Sequence, residues 1–399
     1  ALEAARQAAG ASLQELRALM DRSLLQRAVG GRYTMHKLLR QYAGERLAET
    51  PGAARSARDR HSAYFATAVE RRWADLKGPK HQVALAEMGA ESGNLHAAWD
   101  WAVKRRQVPQ LDRAMDGLCY SLKWMGRYEE GERLCWRAAE GLAETGSTSG
   151  RERVRARALA WQGVFCHRLG RREQARELLL RSLDRLDDLA WSGPDGAHRV
   201  PREIQHARAF VLWRLGNLAS EQDCGAARRL YRHSLSLYRA LKDGWGMASV
   251  LEAWGRTATF SEERDGAQHA YDESLALRQA QGDDWGSYRL LSLSLISAAH
   301  ESQTEVERDK AQEPEASALH DVGLAIGAGQ FARAESLLSK RLSLDAEAGA
   351  LASAGHLDLV RAFNEMHLGL YERARAQTMA CLAHFRESGY HWGMERCCC

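Results

Sequence analysis

Apolar residues recur every three to four positions along almost the whole chain, the period of a helix with one buried face. Over residues 12–28 the spacing of Leu13, Leu16, Leu19 and Met20 predicts a helix. Ser12 stands at the N-cap, and Glu15 three residues on completes a capping-box pattern. Gly30-Gly31 predicts a turn, and Arg32 to Met35 a short strand. A second helix is expected from His36 to about Glu49, with Leu38, Leu39, Tyr42, Ala43 and Leu47 on its apolar side. Pro51-Gly52 ends it. More helix follows over 53–107, interrupted at Gly78-Pro79, with one helix expected from Ala84 to Arg106. The aromatic residues here keep helical spacing and read as packing rather than as a stacking platform for bases.

Beyond residue 111 the pattern repeats. GRYEEG at 126–131, GRREQA at 170–175, GQFARA at 329–334 and GLYERA at 369–374 share a short turn and the start of a second helix. Two further units lack the first glycine: Ala227 with Tyr231, Ser234 and Leu235, and Ala267 with Tyr271, Ser274 and Leu275. These two also share a closing turn, Asp243 to Gly246 and Asp284 to Gly286. A small residue at each of Gly131, Ala175, Ala227, Ala267, Ala334 and Ala374 lets the second helix approach the first closely. Glycine ends the first helix at a left-handed cap. A helical hairpin cannot bury its apolar face alone, so such units stack. The small residues stand 44, 52, 40, 67 and 40 apart, an irregular array. Within the longest gap, Ser287–His300 reads as helix and Glu301–Glu315 as a polar insertion or mobile loop.

Composition sharpens the picture. With 399 residues and only 6 prolines, the chain can hold several domains or one repeat array. Alternating β-branched and polar runs are almost absent, so little sheet is expected outside the first 50 residues. The net charge is +4, but unevenly placed: residues 1–110 carry 18 Lys/Arg against 11 Asp/Glu, and the remainder 38 against 41. That N-terminal surplus is a weak argument for nucleic acid. Of 8 cysteines, none forms a CxxC or stands near a histidine at zinc spacing. Five lie on apolar helix faces, as small core fillers in a reducing compartment. The triplet Cys397 to Cys399 could bind a soft metal, or mark an artificial end or a cut in a longer chain. The abrupt start at Ala1 favours a fragment. No run of about 18 apolar residues and no signal peptide is present.

The residues that carry a resemblance are Leu16, Leu19, Ser23, Leu24 and Leu25, followed by Gly31, Arg32, Tyr33, Met35, His36, Leu38, Leu39, Arg40, Tyr42 and Ala43. They resemble the end of the nucleotide-binding module of STAND signal-transduction ATPases, the class of NB-ARC proteins and bacterial regulators bearing tetratricopeptide repeats (TPR). Asn94, Leu95, Ala98 and Trp99 match the helical linker of that family, and the hairpins resemble TPR units of about 40 residues. The resemblance implies an all-α chain. It places the C-terminal part of a winged-helix domain at 1–52, a helical linker or arm at 53–110 and an irregular TPR-like α-solenoid, a superhelix, at 111–399.

In that family the Met-His motif ends the winged helix, and its histidine contacts the β-phosphate of ADP at rest. Carried over, the role falls on His36. An imidazole N–H at a helix start can donate to an anionic phosphate. Lys37 departs from the family, which has aspartate there. From spacing alone, His36 is equally a locally bonded residue at a helix start. The chain has no GxxxxGK[ST] and no acidic strand end for Mg, so no enzyme activity and no cofactor are expected of it. ADP or ATP with Mg belongs to the parent protein. The glycines at 323, 327 and 329 follow no strand. His206, His233, His269, His320, His356 and His367 are scattered and predict no metal site.

The resemblance implies a cytoplasmic sensor arm. An inducer, protein or small molecule, binds the concave repeat face and releases the winged helix from the nucleotide-binding module of the same chain. The fragment is expected to be monomeric and the parent to oligomerise on activation, with no membrane contact. Candidate ligand-facing residues are Trp124, Trp161, His167, Trp213, Arg214 and Trp254, each equally open to a core role. A DNA-reading winged helix, with Arg17, Arg22, Arg27, Arg32, Lys37 and Arg40, and a plain TPR scaffold are the alternatives.

Overall fold

The computed structural model describes residues 2–28, 32–143, 148–191, 200–259, 265–283, 286, 290, 332–339, 361–362, 364–365 and 368–387. Among the described residues the fold is all-α but for one hairpin of two short strands. The expected helix 287–300, the polar stretch 301–315, the glycines at 323, 327 and 329, the turns at 30–31 and 284–285, His320, His356, His367 and Cys397 to Cys399 lie outside the described residues.

Helices α1 (Leu2–Ala9) and α2 (Leu13–Asp21) open the chain. The capping box forms as expected: Ser12 Oγ accepts from the Glu15 amide at 3.1 Å, and the Ser12 amide donates to Glu15 Oε2 at 2.7 Å. The helix expected to run to residue 28 instead stops at Asp21, and Ser23 takes a left-handed φ of 58°. Strand β1 (Gln26–Ala28) then pairs antiparallel with β2 (Arg32–Thr34), Arg27 opposite Tyr33. The leucine rhythm through Leu24 and Leu25 carries on past a backbone that has already turned.

Helix α3 (Lys37–Ala48) follows, then α4 (Pro51–Leu76), whose first residue is a proline, suited to a position with no amide partner. The helix expected over 84–106 is two, α5 (His81–Ala90) and α6 (Ser92–Lys104), with Glu91 at the break. After these come α7 (Val108–Trp124), α8 (Tyr128–Gly141), α9 (Ser149–Arg168), α10 (Arg172–Trp191), α11 (Arg202–Ala219), α12 (Cys224–Leu241), α13 (Gly244–Thr259), α14 (Asp265–Ala280) and α15 (Tyr371–Glu387). Gly126, Gly170 and Gly369 take left-handed φ of 71°, 78° and 79°, the expected caps.

Two compact units divide the chain, with the main boundary inside α9 between Phe165 and Cys166. In the first, α4 is the central helix, packed by α1, α6 and α7. A Cβ on Gly117 would lie 2.7 Å from Val69 Cγ1, so glycine is what lets α7 rest on α4. Trp99, 3% exposed, donates Nε1–H to the Leu134 carbonyl at 3.0 Å and ties α6 to α8.

In the second unit the hairpins α11–α12 and α13–α14 are built alike. A Cβ on Gly216 would lie 2.5 Å from Tyr231 Cε1, and one on Gly255 the same distance from Tyr271 Cε1. Each ring fills the space its glycine leaves. Tyr231 donates to Asn217 Oδ1 at 3.0 Å, and the Tyr271 and Thr259 hydroxyls meet at 3.2 Å. Three residues after each tyrosine a serine reaches back: Ser234 Oγ donates to the Ala209 carbonyl at 2.7 Å, and Ser274 Oγ to the Ala248 carbonyl at 2.8 Å. Both are fully buried, so an unmet hydroxyl would be costly. The small residues Ala175, Ala227, Ala267 and Ala334 are likewise fully buried.

Candidate functional site

His36 is exposed at the N-cap of α3. Its Nδ1 accepts from the Leu38 amide at 3.4 Å. That geometry makes Nδ1 the acceptor and leaves Nε2 as the N–H donor. Helix α3 itself buries no residue. Leu38 is 67% exposed, Tyr42 56% and Leu47 36%.

The predicted ligand-facing residues fall in separate places. Trp124 ends α7 in an aromatic cluster, 5.1 Å from Tyr120, 6.3 Å from Trp73 and 4.7 Å from the buried His81, ring centre to ring centre. Trp161 is buried in the same unit, edge-on to Tyr120 at 4.5 Å, its Nε1–H donated to Asp116 Oδ1 at 3.0 Å. Tyr120 thus joins the two tryptophans. Beside them Asp112 and Asp116 bind Arg153 and Arg157, a partly buried ion network.

In the second unit, His167 Nε2 meets Glu221 Oε1 at 2.8 Å. Burial raises the Glu221 carboxyl, but His167 and Arg172 outweigh it and hold it below the ordinary range. Trp213 and Arg214 come together: the guanidinium carbon sits 3.5 Å from the Trp213 ring centre and 4.7 Å from that of Phe210. Trp245 closes on Trp213 edge-on at 6.4 Å. Trp213 is 6% exposed, and its buried Nε1–H has no partner among the described residues. Trp254 is half-buried on α13.

Two constellations lie outside the predicted set. One is a buried triad in which Arg278 donates to Glu252 Oε2 at 2.7 Å and to Asp283 Oδ2 at 2.5 Å. The other is a cleft of about 640 Å³ between α1, β2, α4 and α6, lined by alanines and by Arg58, His61, Asn94, Trp101 and Lys104. No cluster of His, Cys, Asp and Glu suited to a metal ion occurs among the described residues. No described helix is long and apolar enough to cross a membrane.

No family model matches the chain. No curated protein matches it either. Among solved structures it is similar to a signal transduction ATPase with numerous domains (STAND) protein with a tetratricopeptide repeat sensor from Pyrococcus horikoshii, at 13% identity and a TM-score of 0.42. The alignment covers 99% of this chain and 58% of that one, so the chain spans little more than half the neighbour's length.

Proposed function

We propose that the chain is the sensor and autoinhibitory arm of a STAND-type signalling ATPase. Its repeats bind an inducer, protein or small molecule. Its winged-helix part docks on the nucleotide-binding module of the parent chain and holds the ADP-bound resting state. The carrying observation is α3. A helix that buries nothing and presents Leu38 and Tyr42, one turn apart, to solvent offers an apolar patch for another protein surface. His36 stands at the edge of that patch with Nδ1 engaged in the cap. Its Nε2–H is the group that would reach the ADP phosphate. On the repeat side, the half-buried Trp254 is the inducer contact we favour, since Trp213, Arg214 and Phe210 are all under a tenth exposed. ATP chemistry, with Mg, belongs to the parent, which opens and oligomerises when inducer binding favours the open form.

Two measurements test this. The coding sequence upstream of Ala1 should contain a GxxxxGK[ST] loop, and its absence sinks the reading. In the parent protein, release of a fluorescent ADP analogue should quicken about tenfold or more in His36→Ala. A hydrogen bond to a charged group contributes about 1.5–3 kcal/mol. Lys37→Ala serves as control, and unchanged release from His36→Ala removes the nucleotide contact.

A further inference from the structure

The cleft in the first unit has a size and chemistry of its own. Its volume of about 640 Å³ falls in the range of small-molecule sites, about 300–1,000 Å³. The floor is apolar: Ala4, Ala5, Ala8 and Ala9 from α1 face Phe65 of α4. Helix α1 is held over α4 by Arg60, which donates to the Ala9 carbonyl at 3.4 Å.

One wall is a fixed ring. Trp101 donates Nε1–H to Asp59 Oδ1 at 2.8 Å, and Gln107 donates to the same oxygen at 2.6 Å. The indole is therefore oriented before any ligand arrives, which limits the entropy lost on binding. Arg58 lies over that ring, its guanidinium carbon 5.1 Å from the centre. Lys104 stands one helical turn beyond Trp101 and also lines the cleft. Neither Arg58 nor Lys104 carries a carboxylate partner among the described residues. The acid in the lining, Asp100, is already engaged by Arg137 at 2.8 Å. Burial lowers the pKa of His61, against the opposing pull of Asn94 and Glu91. The cleft thus presents an apolar floor, a planar wall and two unopposed cations at its rim.

We propose that this cleft binds a small organic carboxylate with a flat, ring-bearing body. The ring lies on the alanine floor against Trp101, and the carboxylate meets the Arg58 fork and Lys104. A planar guanidinium pairs a carboxylate through two parallel hydrogen bonds. The site is separate from the repeat cluster of the second unit and does not depend on the sensor-arm reading.

Calorimetric titration of the chain with 2-naphthoate, 2-naphthalenemethanol and 2-naphthylmethylamine tests it. Naphthoate should bind at one site, the alcohol at least tenfold more weakly, and the amine not measurably. The double variant Arg58→Ala/Lys104→Ala should weaken naphthoate at least tenfold and leave the alcohol unchanged. Ala97→Phe, at an exposed position on the cleft edge, should block naphthoate while the melting temperature stays within about 2 °C of the parent chain. Equal binding of all three compounds, or full naphthoate affinity in either variant, overturns the proposal. If Ala97→Phe melts early, Ala97→Leu and the double variant decide by the same criteria.

Discussion

On α3, a Cβ built on Gly44 would have no neighbouring atom within 4 Å, whereas on α13 a Cβ on Gly255 would lie 2.5 Å from the Tyr271 ring. The two glycines sit inside helices of similar length, and their surroundings are opposite. Around Gly255 every group is spoken for: the tyrosine fills the notch, its hydroxyl meets Thr259, and Ser274 ties one helix to the other. Around Gly44 only the helix itself is satisfied. The hairpin owes its stability to contacts within the chain. Helix α3 leaves Leu38 and Leu47 exposed, and Tyr42 meets only Arg46 of the same helix.

The largest effect should come from breaking the buried triad. Arg278→Met removes the guanidinium that Glu252 and Asp283 share, in a site where all three side chains are under a tenth exposed. Removing one partner of a buried pair costs about 3–5 kcal/mol. Arg46→Met on α3 breaks an ion pair whose side chains are 60% and 61% exposed. That change should leave the unfolding midpoint nearly where it is, because solvent screens the pair. Urea unfolding followed by helical circular dichroism measures both, and equal midpoints would erase the contrast.

Next in size are the glycines. Gly216→Ala and Gly255→Ala should each cost about 1–3 kcal/mol from overpacking against tyrosine. Gly44→Ala should instead stabilise by about 0.5–1 kcal/mol, because open space leaves only the gain in helix propensity. A loss at Gly44 would mean that α3 is packed after all.

The smallest effect is one of pH. Burial raises the Asp243 carboxyl, but His206 at 3.1 Å and the Gly246 amide outweigh it and hold it below its ordinary 3.8. A carboxyl depressed in the folded state stabilises fully above its unfolded pKa. That contribution is lost as pH falls through the folded value. Asp243→Asn should therefore lower stability at pH 7 and flatten the acid limb of the stability curve below 3.8. An unchanged acid limb would show that Asp243 gains nothing from its partners.

Much of this architecture was legible because its signals are local. Ser12 and Glu15 stand three apart and cap as their types dictate. Gly126, Gly170 and Gly369 turn where a left-handed residue is needed. The interlock of Gly216 with Tyr231 was half-visible: the tyrosine–serine spacing marked the second helix, but nothing pointed to the glycine 15 positions earlier. The break at Glu91 lies between Gly89 and Gly93, but the apolar rhythm ran on across both glycines. Helical spacing shows that a residue lies on a face, without telling which face is covered. Hence Trp161, 1% exposed, and Trp124, at the open end of α7, looked alike. The cleft was illegible for another reason. Its alanines at 4, 5, 8 and 9 share one face of α1, but they meet Ala57 and Ala97 only through the packing of three helices.

The tyrosine-in-glycine interlock also governs how the repeats can deform. A ring seated in a notch resists sliding of one helix along the other, so α11–α12 and α13–α14 each behave as a stiff lever. Any bending must be taken up between levers, and the joint from α12 to α13 is two residues long. There Lys242, without glycine's freedom, already holds a left-handed φ of 57°. Ligand-driven motion in this stretch would then be a hinge rotation concentrated at Lys242 and Asp243, with no shear inside a hairpin.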